Sequence, residues 1–195
     1  MQRANLAALP CSLARTLQIV GEWWTLLVLR DICFGWNRFD EIHDHIGIAR
    51  NILKARLDTL IDQGMVERRR YQQHPDRYEY LPTAKAIDFV PALMALVAWG
   101  DRWTAPGGPP VLFSHRTCGH DTVATVVCSA CSAQLSRGDV GFRPAPECRS
   151  MARAMDPAAA ALGRQAATPA PGHGSGGGPV TTRLPWRRRR RRRVT

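Results

Sequence analysis

Four His and Cys side chains in the middle of the chain have the spacing of metal ligands. Two residues separate His115 from Cys118, and two separate Cys128 from Cys131. Zinc takes four nitrogen or sulfur ligands in a tetrahedron, and a two-residue gap lets both members of a pair face one ion. The pattern predicts one structural zinc held by these four residues, with His120 as the alternative to His115. The competing interpretation is a metal-free β-hairpin with free thiols.

A second group of residues has the chemistry of DNA contacts. It lies on a predicted helix whose apolar stripe is Leu53, Leu57 and Leu60, so the polar residues between them point away from the core. Arginine suits guanine or phosphate, asparagine pairs with adenine, and an alanine methyl contacts a thymine methyl. The predicted DNA contacts on this helix are Arg50, Asn51, Lys54, Ala55, Arg56 and Asp58, with Lys54 and Arg56 assigned to phosphates.

A basic hairpin is predicted directly after this helix. Residues 65–71 and 78–81 have strand patterns, and residues 72–77 form the turn between them. Side chains alternate along a strand, so Arg69 projects from the face opposite to that of its two arginine neighbours. A cation near the tip suits a narrow minor groove, where the potential is most negative. The predicted contacts from this hairpin are Arg68, Arg70, His74 and Arg77; for any one of them the alternative is a solvated surface charge.

Apolar periodicity predicts the elements that position both groups. The order is two helices, a short helix, a turn, the longer helix described above, the hairpin and a final helical stretch. Pro82 is predicted to start that last stretch, and Pro91 must interrupt or restart it, because proline lacks the backbone donor of a helix interior. Glycines are predicted to separate, bend or end the earlier helices at Gly21, Gly35, Gly47 and Gly64.

This order of elements predicts a winged helix-turn-helix, which is a mainly α fold with a small β-hairpin wing. Residues 1–104 are predicted to form the DNA-binding and dimerisation domain. A run of Ala, Pro and Gly at 105–110 begins a linker and a short β-rich Cys/His appendage, which extends to residue 147. Residues 148–195 are rich in Ala, Pro, Gly and Arg, and we expect a disordered tail there.

The net charge of +11 comes largely from that tail. Residues 187–193 are seven consecutive arginines, and without them the charge is +4. The body is therefore mildly basic, in keeping with double-stranded DNA as a partner. There is no run of 18 apolar residues and no signal-peptide pattern at the N-terminus, so no membrane partner is expected. We expect a cytoplasmic, nucleoid-associated protein whose cysteines are reduced.

An ordered set of residues between positions 11 and 103 resembles the HxlR-type transcriptional regulators, a family akin to the MarR-like group. The set comprises the segment Cys11–Asp31, the run Arg38–Ile42, and Ile48, Leu53, Arg56, Leu57, Leu60, Gly64, Met65, Val66, Tyr78, Glu79, Tyr80, Pro91, Leu96, Trp99 and Gly100. The resemblance implies a homodimeric repressor or activator that binds a near-palindromic operator. It also implies that terminal helices form the dimer interface, around Leu13, Leu17 and the segment Leu93–Trp103.

Two positions within this resemblance bear on function. Family members usually carry Ser where Ala49 precedes the predicted recognition helix, and Ala49 has no side chain to cap it. Cys11 resembles the position used by thiol-sensing members of the family, and Arg15, one helical turn later, would favour a thiolate. The alternative for Cys11 is an inert cysteine, and Cys33 is expected to serve packing.

Two other functions remain open from the sequence. A non-specific nucleic-acid-binding protein would rely on the Arg-rich tail and a zinc knuckle, through phosphate charge alone. An enzyme would need a reactive constellation, and His43, Asp44 and His45 are the nearest candidates. The two histidines are two positions apart and do not share a helical face. No Ser-His-Asp, Walker or Rossmann pattern is present, so catalysis is not expected.

Overall fold

Five helices and a two-stranded hairpin make up the described winged helix-turn-helix, confirming the predicted mainly α fold with a hairpin wing. They are α1 (Ser12–Val20), α2 (Trp23–Phe34), α3 (Phe39–Ile46), α4 (Arg50–Asp62), β1 (Val66–Gln73), β2 (Asp76–Pro82) and α5 (Ala84–Thr104). Two short strands, β3 (Phe113–Ser114) and β4 (Asp121–Thr122), and a 3₁₀ turn (Arg137–Asp139) follow.

The structure is a computed structural model, and it describes residue 9 and residues 11–141. The chain divides into two units, Met1–Val140 and Gly141–Thr195. All of the second unit beyond Gly141 lies outside the described residues. The tail predicted for residues 148–195 is in that portion.

Two glycines show why the first helices end where they do. At Gly21, between α1 and α2, a Cβ would lie 2.2 Å from the Leu17 carbonyl oxygen, closer than any side chain tolerates. Gly35 follows α2 with a φ of 110°, a left-handed conformation that costs other residues free energy. The predicted separation of the first two helices at Gly21 and the predicted end of the second at Gly35 are both confirmed.

The core lies where α4 packs against α2. Leu53, Leu57 and Leu60 are fully buried and form the inner stripe of α4. They pack in one cluster with Val28 and Leu29 of α2, to which Ile42 of α3, Met65 and Ala86 also belong. Burying a leucine side chain contributes about 1.5–3 kcal/mol. Three such residues on one side of α4 fix the rotation of that helix about its own axis.

The wing pairs β1 with β2 in antiparallel register. Val66 lies opposite Pro82, Arg68 opposite Tyr80 and Arg70 opposite Tyr78, with an irregularity between Arg70 and Gln72. The strands are longer than predicted, so the predicted turn of six residues was wrong. Pairing continues to Gln73 and Asp76, and only residues 74 and 75 connect the strands.

The predictions for both prolines of the last helical stretch were wrong. Pro82 ends β2, and α5 begins at Ala84 after Thr83, whose backbone N–H donates to the Met65 carbonyl at 3.0 Å. Pro91 lies inside α5 without interrupting it. Proline there removes one hydrogen bond, to the carbonyl of Ile87. Ile87 is half-exposed, so water can reach that region of the helix and offset the loss.

We predict that Leu57→Ala lowers the free energy of unfolding by about 2–5 kcal/mol, since it leaves a cavity in the fully buried stripe of α4. The neighbouring variant Asp58→Ala removes only an exposed ion pair with Lys54 and is expected to change it by less than about 1 kcal/mol. Urea unfolding of the full chain, followed by circular dichroism, measures both. Equal losses in the two variants would contradict this packing.

Candidate nucleic-acid interface

The outer side of α4 exposes a stripe of polar and small residues. The leucines point inward. Among the first nine residues of the helix, the first, second, fifth, sixth and ninth are exposed. All five belong to the set of DNA contacts predicted from the sequence, in which Asn51, Ala55 and Asp58 were expected to point away from the core and Arg50 and Lys54 to flank them. They form one continuous surface, which we call the recognition face.

Ion pairs hold the two cations of the recognition face. The Arg50 guanidinium lies 2.9 Å from an Asp40 carboxylate oxygen and 5.6 Å from the centre of the Phe39 ring. Lys54 Nζ lies 2.6 Å from Asp58 Oδ2. All four charged side chains are exposed, and exposed pairs of this kind are worth about 0–1 kcal/mol. A phosphate can therefore displace either carboxylate at little cost.

Arg56 is placed differently from the rest of the predicted set. Its side chain is only 18% exposed, and one guanidinium nitrogen lies 3.9 Å from the carboxylate of Glu22, the residue before α2. Its Nε is buried without a hydrogen-bond partner among the described residues. The cause is visible in the sequence, because Arg56 stands three after Leu53 and four before Leu60, at the margin of the buried stripe. Its assignment to a phosphate stays a prediction.

The wing carries its arginines as the strand alternation predicts. Arg68 lies over the Tyr78 ring at 4.4 Å, and Arg70 Nη1 lies 3.5 Å from Asp76 Oδ1. Arg69 pairs instead with Glu79, at 2.6 Å. His74 is one of the two connecting residues, and Arg77 is the second residue of β2; both are exposed. The tip of the wing is therefore open to a ligand.

A cleft of about 520 Å³ connects the wing to the helix-turn-helix. The start of α3, Arg50 at the start of α4, and residues of both strands line it, so α3, α4 and the wing meet at one surface. Arg38 and Tyr71 also line this cleft, with the Arg38 guanidinium 4.7 Å from the centre of the Tyr71 ring. Sequence reasoning missed both residues, because the pairing of the wing with α3 leaves no local pattern.

Comparison with known proteins identifies the family. The sequence profile of the HxlR-like helix-turn-helix family matches residues 19–107. An uncharacterised HTH-type transcriptional regulator of Mycobacterium tuberculosis, Rv3095, is 37% identical over 136 residues, which are 69% of this chain and 86% of that protein. The chain belongs to the HxlR-like helix-turn-helix family. It is thus a transcriptional regulator with a helix-turn-helix DNA-binding domain.

Two solved structures agree with this assignment to the HxlR-like family. PA1607, described as a candidate transcription factor, matches with a TM-score of 0.65 and 28% identity over 73% of this chain and 100% of that one. PA1374 of Pseudomonas aeruginosa, described in the same terms, matches with a TM-score of 0.53 and 39% identity over 74% and 99%. Both matches extend beyond the residues covered by the family profile. Within residues 11–141, no helix is long and apolar enough to cross a membrane.

Helix α4 of this HxlR-like chain begins without a side-chain cap. Ala49 occupies the cap position in extended conformation and makes no side-chain hydrogen bond to the helix. A Ser, Thr, Asp or Asn cap is worth about 1 kcal/mol. The backbone N–H groups at the start of α4 therefore remain available to an anion.

A buried carboxylate braces α3 against α2. Asp31 is fully buried and accepts hydrogen bonds from Arg30 Nε and Nη2, at 2.9 and 2.6 Å. Its other oxygen lies 2.7 Å from His45 Nδ1 near the end of α3. The His45 ring stacks on Trp36, with centroids 4.2 Å apart and planes within 7°. His45 thus serves structure, while His43 pairs with Asp44 at 2.7 Å on the surface.

The cysteines lie in three different settings. Cys11 is exposed and precedes α1. Arg15, which was expected to favour its thiolate, donates a hydrogen bond to Ser12 Oγ at 3.3 Å. Thiol sensing at Cys11 stays a prediction. Burial raises the pKa of the Cys33 thiol above its ordinary value, which disfavours the reactive thiolate. Hydrogen bonds from the backbone of Ala130 and Cys131 lower the pKa of Cys128. Cys148 lies outside the described residues.

The predicted zinc ligands form two separate pairs. His115 Nδ1 lies 3.2 Å from Cys118 Sγ, and Cys131 hydrogen-bonds to Cys128. Across residues 11–141, no three His, Cys, Asp or Glu side chains gather around one point as a metal site requires. His120 is exposed and its carbonyl accepts the His115 backbone N–H at 2.9 Å. The zinc assignment stays a prediction.

We predict that Asp31→Ala destabilises the chain by about 2–3 kcal/mol. Removing one partner of a buried pair costs about 3–5 kcal/mol, but Arg30 and His45 keep access to water here, which lowers the cost. Asp44→Ala, which removes a largely exposed carboxylate on α3, is the control and should change stability by less than about 1 kcal/mol. Thermal unfolding measures both; an Asp31→Ala protein as stable as the wild type would show that the brace contributes nothing.

Proposed function

We propose that the chain is a homodimeric regulator of transcription that places the recognition face of α4 in the major groove of a near-palindromic operator. The observation that carries this proposal is the burial of Leu53, Leu57 and Leu60, which leaves the opposite side of α4 exposed beside an arginine-bearing wing. In helix-turn-helix proteins the second helix of the motif enters the major groove and its first residues contact base edges.

Asn51 and Ala55 are the residues that we assign to base edges. Both are exposed and neither carries a charge, so their contacts depend on the base they meet. Asparagine pairs with adenine through two hydrogen bonds, and an alanine methyl packs against the methyl of thymine. Arg50 suits guanine or a phosphate, and Lys54 suits a phosphate once it leaves Asp58.

The wing is assigned to the sugar-phosphate backbone and the neighbouring minor groove. Arg68 and Arg70 share the strand face that carries Tyr78, and Arg77 and His74 are exposed at the tip. Phosphate contacts set the register of a protein on the duplex without selecting a sequence. An arginine at the tip is attracted by the negative potential of a narrow minor groove.

Exposed apolar residues on α1 and α5 support a homodimer. Leu96, Trp99 and Trp103 of α5 recur at helical spacing and are more than half exposed, whereas Leu93 and Ala86 of the same helix are buried. Leu13 and Leu17 form a similar exposed pair on α1. Large apolar side chains that are exposed together on one helix face often mark an interface. A two-fold dimer would place two recognition helices about 34–36 Å apart, one turn of DNA.

A regulator of this kind acts on its own chromosome, so we place it in the cytoplasm, associated with the nucleoid. Its binding would be sequence-specific, and the alternative is non-specific binding driven by phosphate charge. Removal of residues 150–195 takes away the arginine run and distinguishes the two. Retained affinity for a selected duplex supports the winged helix as the reader, and lost specific binding supports the alternative.

We predict that Asn51→Ala weakens binding to a duplex selected from a random library by the full chain about 5- to 150-fold per half-site, because one bidentate base contact is lost in each half of the operator. Affinity for an unrelated duplex should not change. Arg77→Ala should weaken binding to both duplexes and lower the dependence of log K on log salt concentration by about two, one for each protomer of the dimer. Fluorescence anisotropy at several salt concentrations measures each value.

Gln63→Ala, at the exposed far end of α4, is the matched control for these variants and should bind as the wild type does. If Asn51→Ala weakens both duplexes equally, Asn51 does not read bases. If none of the substitutions changes binding, the recognition face is not the DNA contact.

We predict that Trp99→Glu converts the dimer to a monomer, since it places a charge in the apolar interface proposed for α5. Val126→Glu introduces the same charge at a similarly exposed apolar residue outside the proposed interface and should leave a dimer. Analytical ultracentrifugation of the full chain gives both masses. A wild-type monomer, or a dimeric Trp99→Glu protein, would contradict the proposed interface.

A further inference from the structure

Two turns between residues 113 and 135 have the same pattern of backbone hydrogen bonds. In the first, the His115 N–H donates to the His120 carbonyl at 2.9 Å, and the Gly119 N–H donates to the His115 carbonyl at 2.7 Å. In the second, the Cys128 N–H donates to the Ala133 carbonyl at 2.8 Å, and the Ser132 N–H donates to the Cys128 carbonyl at 2.8 Å. The bonds connect the same relative positions, so the two turns are structurally equivalent.

The fifth position of each turn has a left-handed backbone. Gly119 has a φ of 72°, which glycine adopts freely. Ser132 has a φ of 58° and is the non-glycine residue with positive φ within the described part of the chain. That conformation costs a residue with a side chain roughly 1–2 kcal/mol. Its presence at the equivalent position indicates that the second turn is held in the shape of the first.

Each turn brings two metal-binding atoms together. His115 Nδ1 and Cys118 Sγ are 3.2 Å apart. The edge of a zinc tetrahedron that joins a nitrogen and a sulfur ligand is about 3.6 Å, from the usual zinc bond lengths. In the second turn Cys131 lies within hydrogen-bond distance of the Cys128 sulfur, which also accepts backbone N–H groups of Ala130 and Cys131. Each turn therefore holds two of the four donors that a tetrahedral site needs.

The segment that carries the turns has no hydrophobic core of its own. None of residues 105–140 is buried, and Val123 and Val126 are 71% and 59% exposed. Its strands are two residues long. The Phe113 ring contacts the Phe34 ring of α2, with the ring centres 5.5 Å apart. A module this small usually depends on a metal, disulfides or a partner for its stability.

We propose that His115, Cys118, Cys128 and Cys131 bind one structural zinc ion per chain, and that the ion draws the two equivalent turns together. In the described chain the turns are formed but not joined, because no three donors surround one point. The residues between them, 121–127, are a tether long enough to let them meet. Three thiolates and one imidazole are a set that selects zinc and leaves no open position for a substrate.

The geometry favours His115 over His120 as the nitrogen ligand. His115 occupies the position equivalent to Cys128, and its ring nitrogen already faces Cys118 Sγ. His120 occupies the position equivalent to Ala133, where the second turn carries no ligand. Binding would release the thiol protons and would add the free energy of the metal to the folding of the appendage.

The test uses the full chain, purified under reducing conditions, stripped with a chelator and then titrated with Zn²⁺ or Co²⁺. We expect one zinc per chain by mass spectrometry of metals, and visible Co²⁺ absorption bands typical of tetrahedral thiolate ligation. Hydrogen exchange at residues 113–135 should slow on binding, since the ion joins the two turns. The paired variant C128S/C131S and the variant His115→Asn should lose the bound metal.

Cys33→Ser, Cys148→Ser and His120→Asn are the matched controls and should retain one metal per chain. Far-UV circular dichroism shows whether each variant keeps its helices, so loss of metal is distinguished from loss of the fold. Metal well below one per chain in the wild type, or full metal in C128S/C131S, would overturn the proposal. If zinc increases the size of the oligomer in ultracentrifugation, the ion is shared between chains and the proposed site within one chain is wrong. None of these outcomes depends on DNA binding.

Discussion

The buried stripe of α4 is the constraint on which the DNA-binding surface depends. Leu53, Leu57 and Leu60 are fully buried, and they pack against α2 within one apolar cluster. Because side chains repeat every 3.6 residues, fixing one side of a helix fixes the other. The recognition face needs no polar contact of its own to be held outward. Its side chains are therefore free to change without loss of the fold.

Ion pairs on the protein surface modify the proposed DNA-binding surface but do not determine its orientation. The chain is only mildly basic outside the arginine run, and acidic partners hold Arg50, Lys54, Arg69 and Arg70 on the protein surface. Duplex phosphates must exchange for these carboxylates, so part of the gain from each phosphate contact is offset. A surface with this balance attracts DNA weakly without a matching sequence. In the proposed mode of binding, discrimination between sequences is therefore assigned to the uncharged Asn51 and Ala55.

Local periodicity was sufficient to predict the order of the helices and the hairpin. It did not predict the continuity of α5 through Pro91 or the contacts between residues distant in the sequence. The leucine stripe and the glycine stops are local patterns, and each placed its helix correctly. Pro91 was expected to break a helix, but one lost hydrogen bond at a half-exposed position does not outweigh the rest of α5. The Asp31–His45 pair spans 14 positions, and the Arg38–Tyr71 contact joins α3 to the wing. Neither has a signature in the sequence around it, so no periodicity predicts them.

The most direct measurement of the central claim is a photocrosslink from position 51. A photoreactive amino acid placed at Asn51 of the full chain, bound to a duplex that it selects, should attach to bases in the major groove. The same group at Gln63, at the far end of α4, should not attach to bases. Equal crosslinking from both positions, or attachment from neither, would contradict the placement of the recognition face of α4 in the groove.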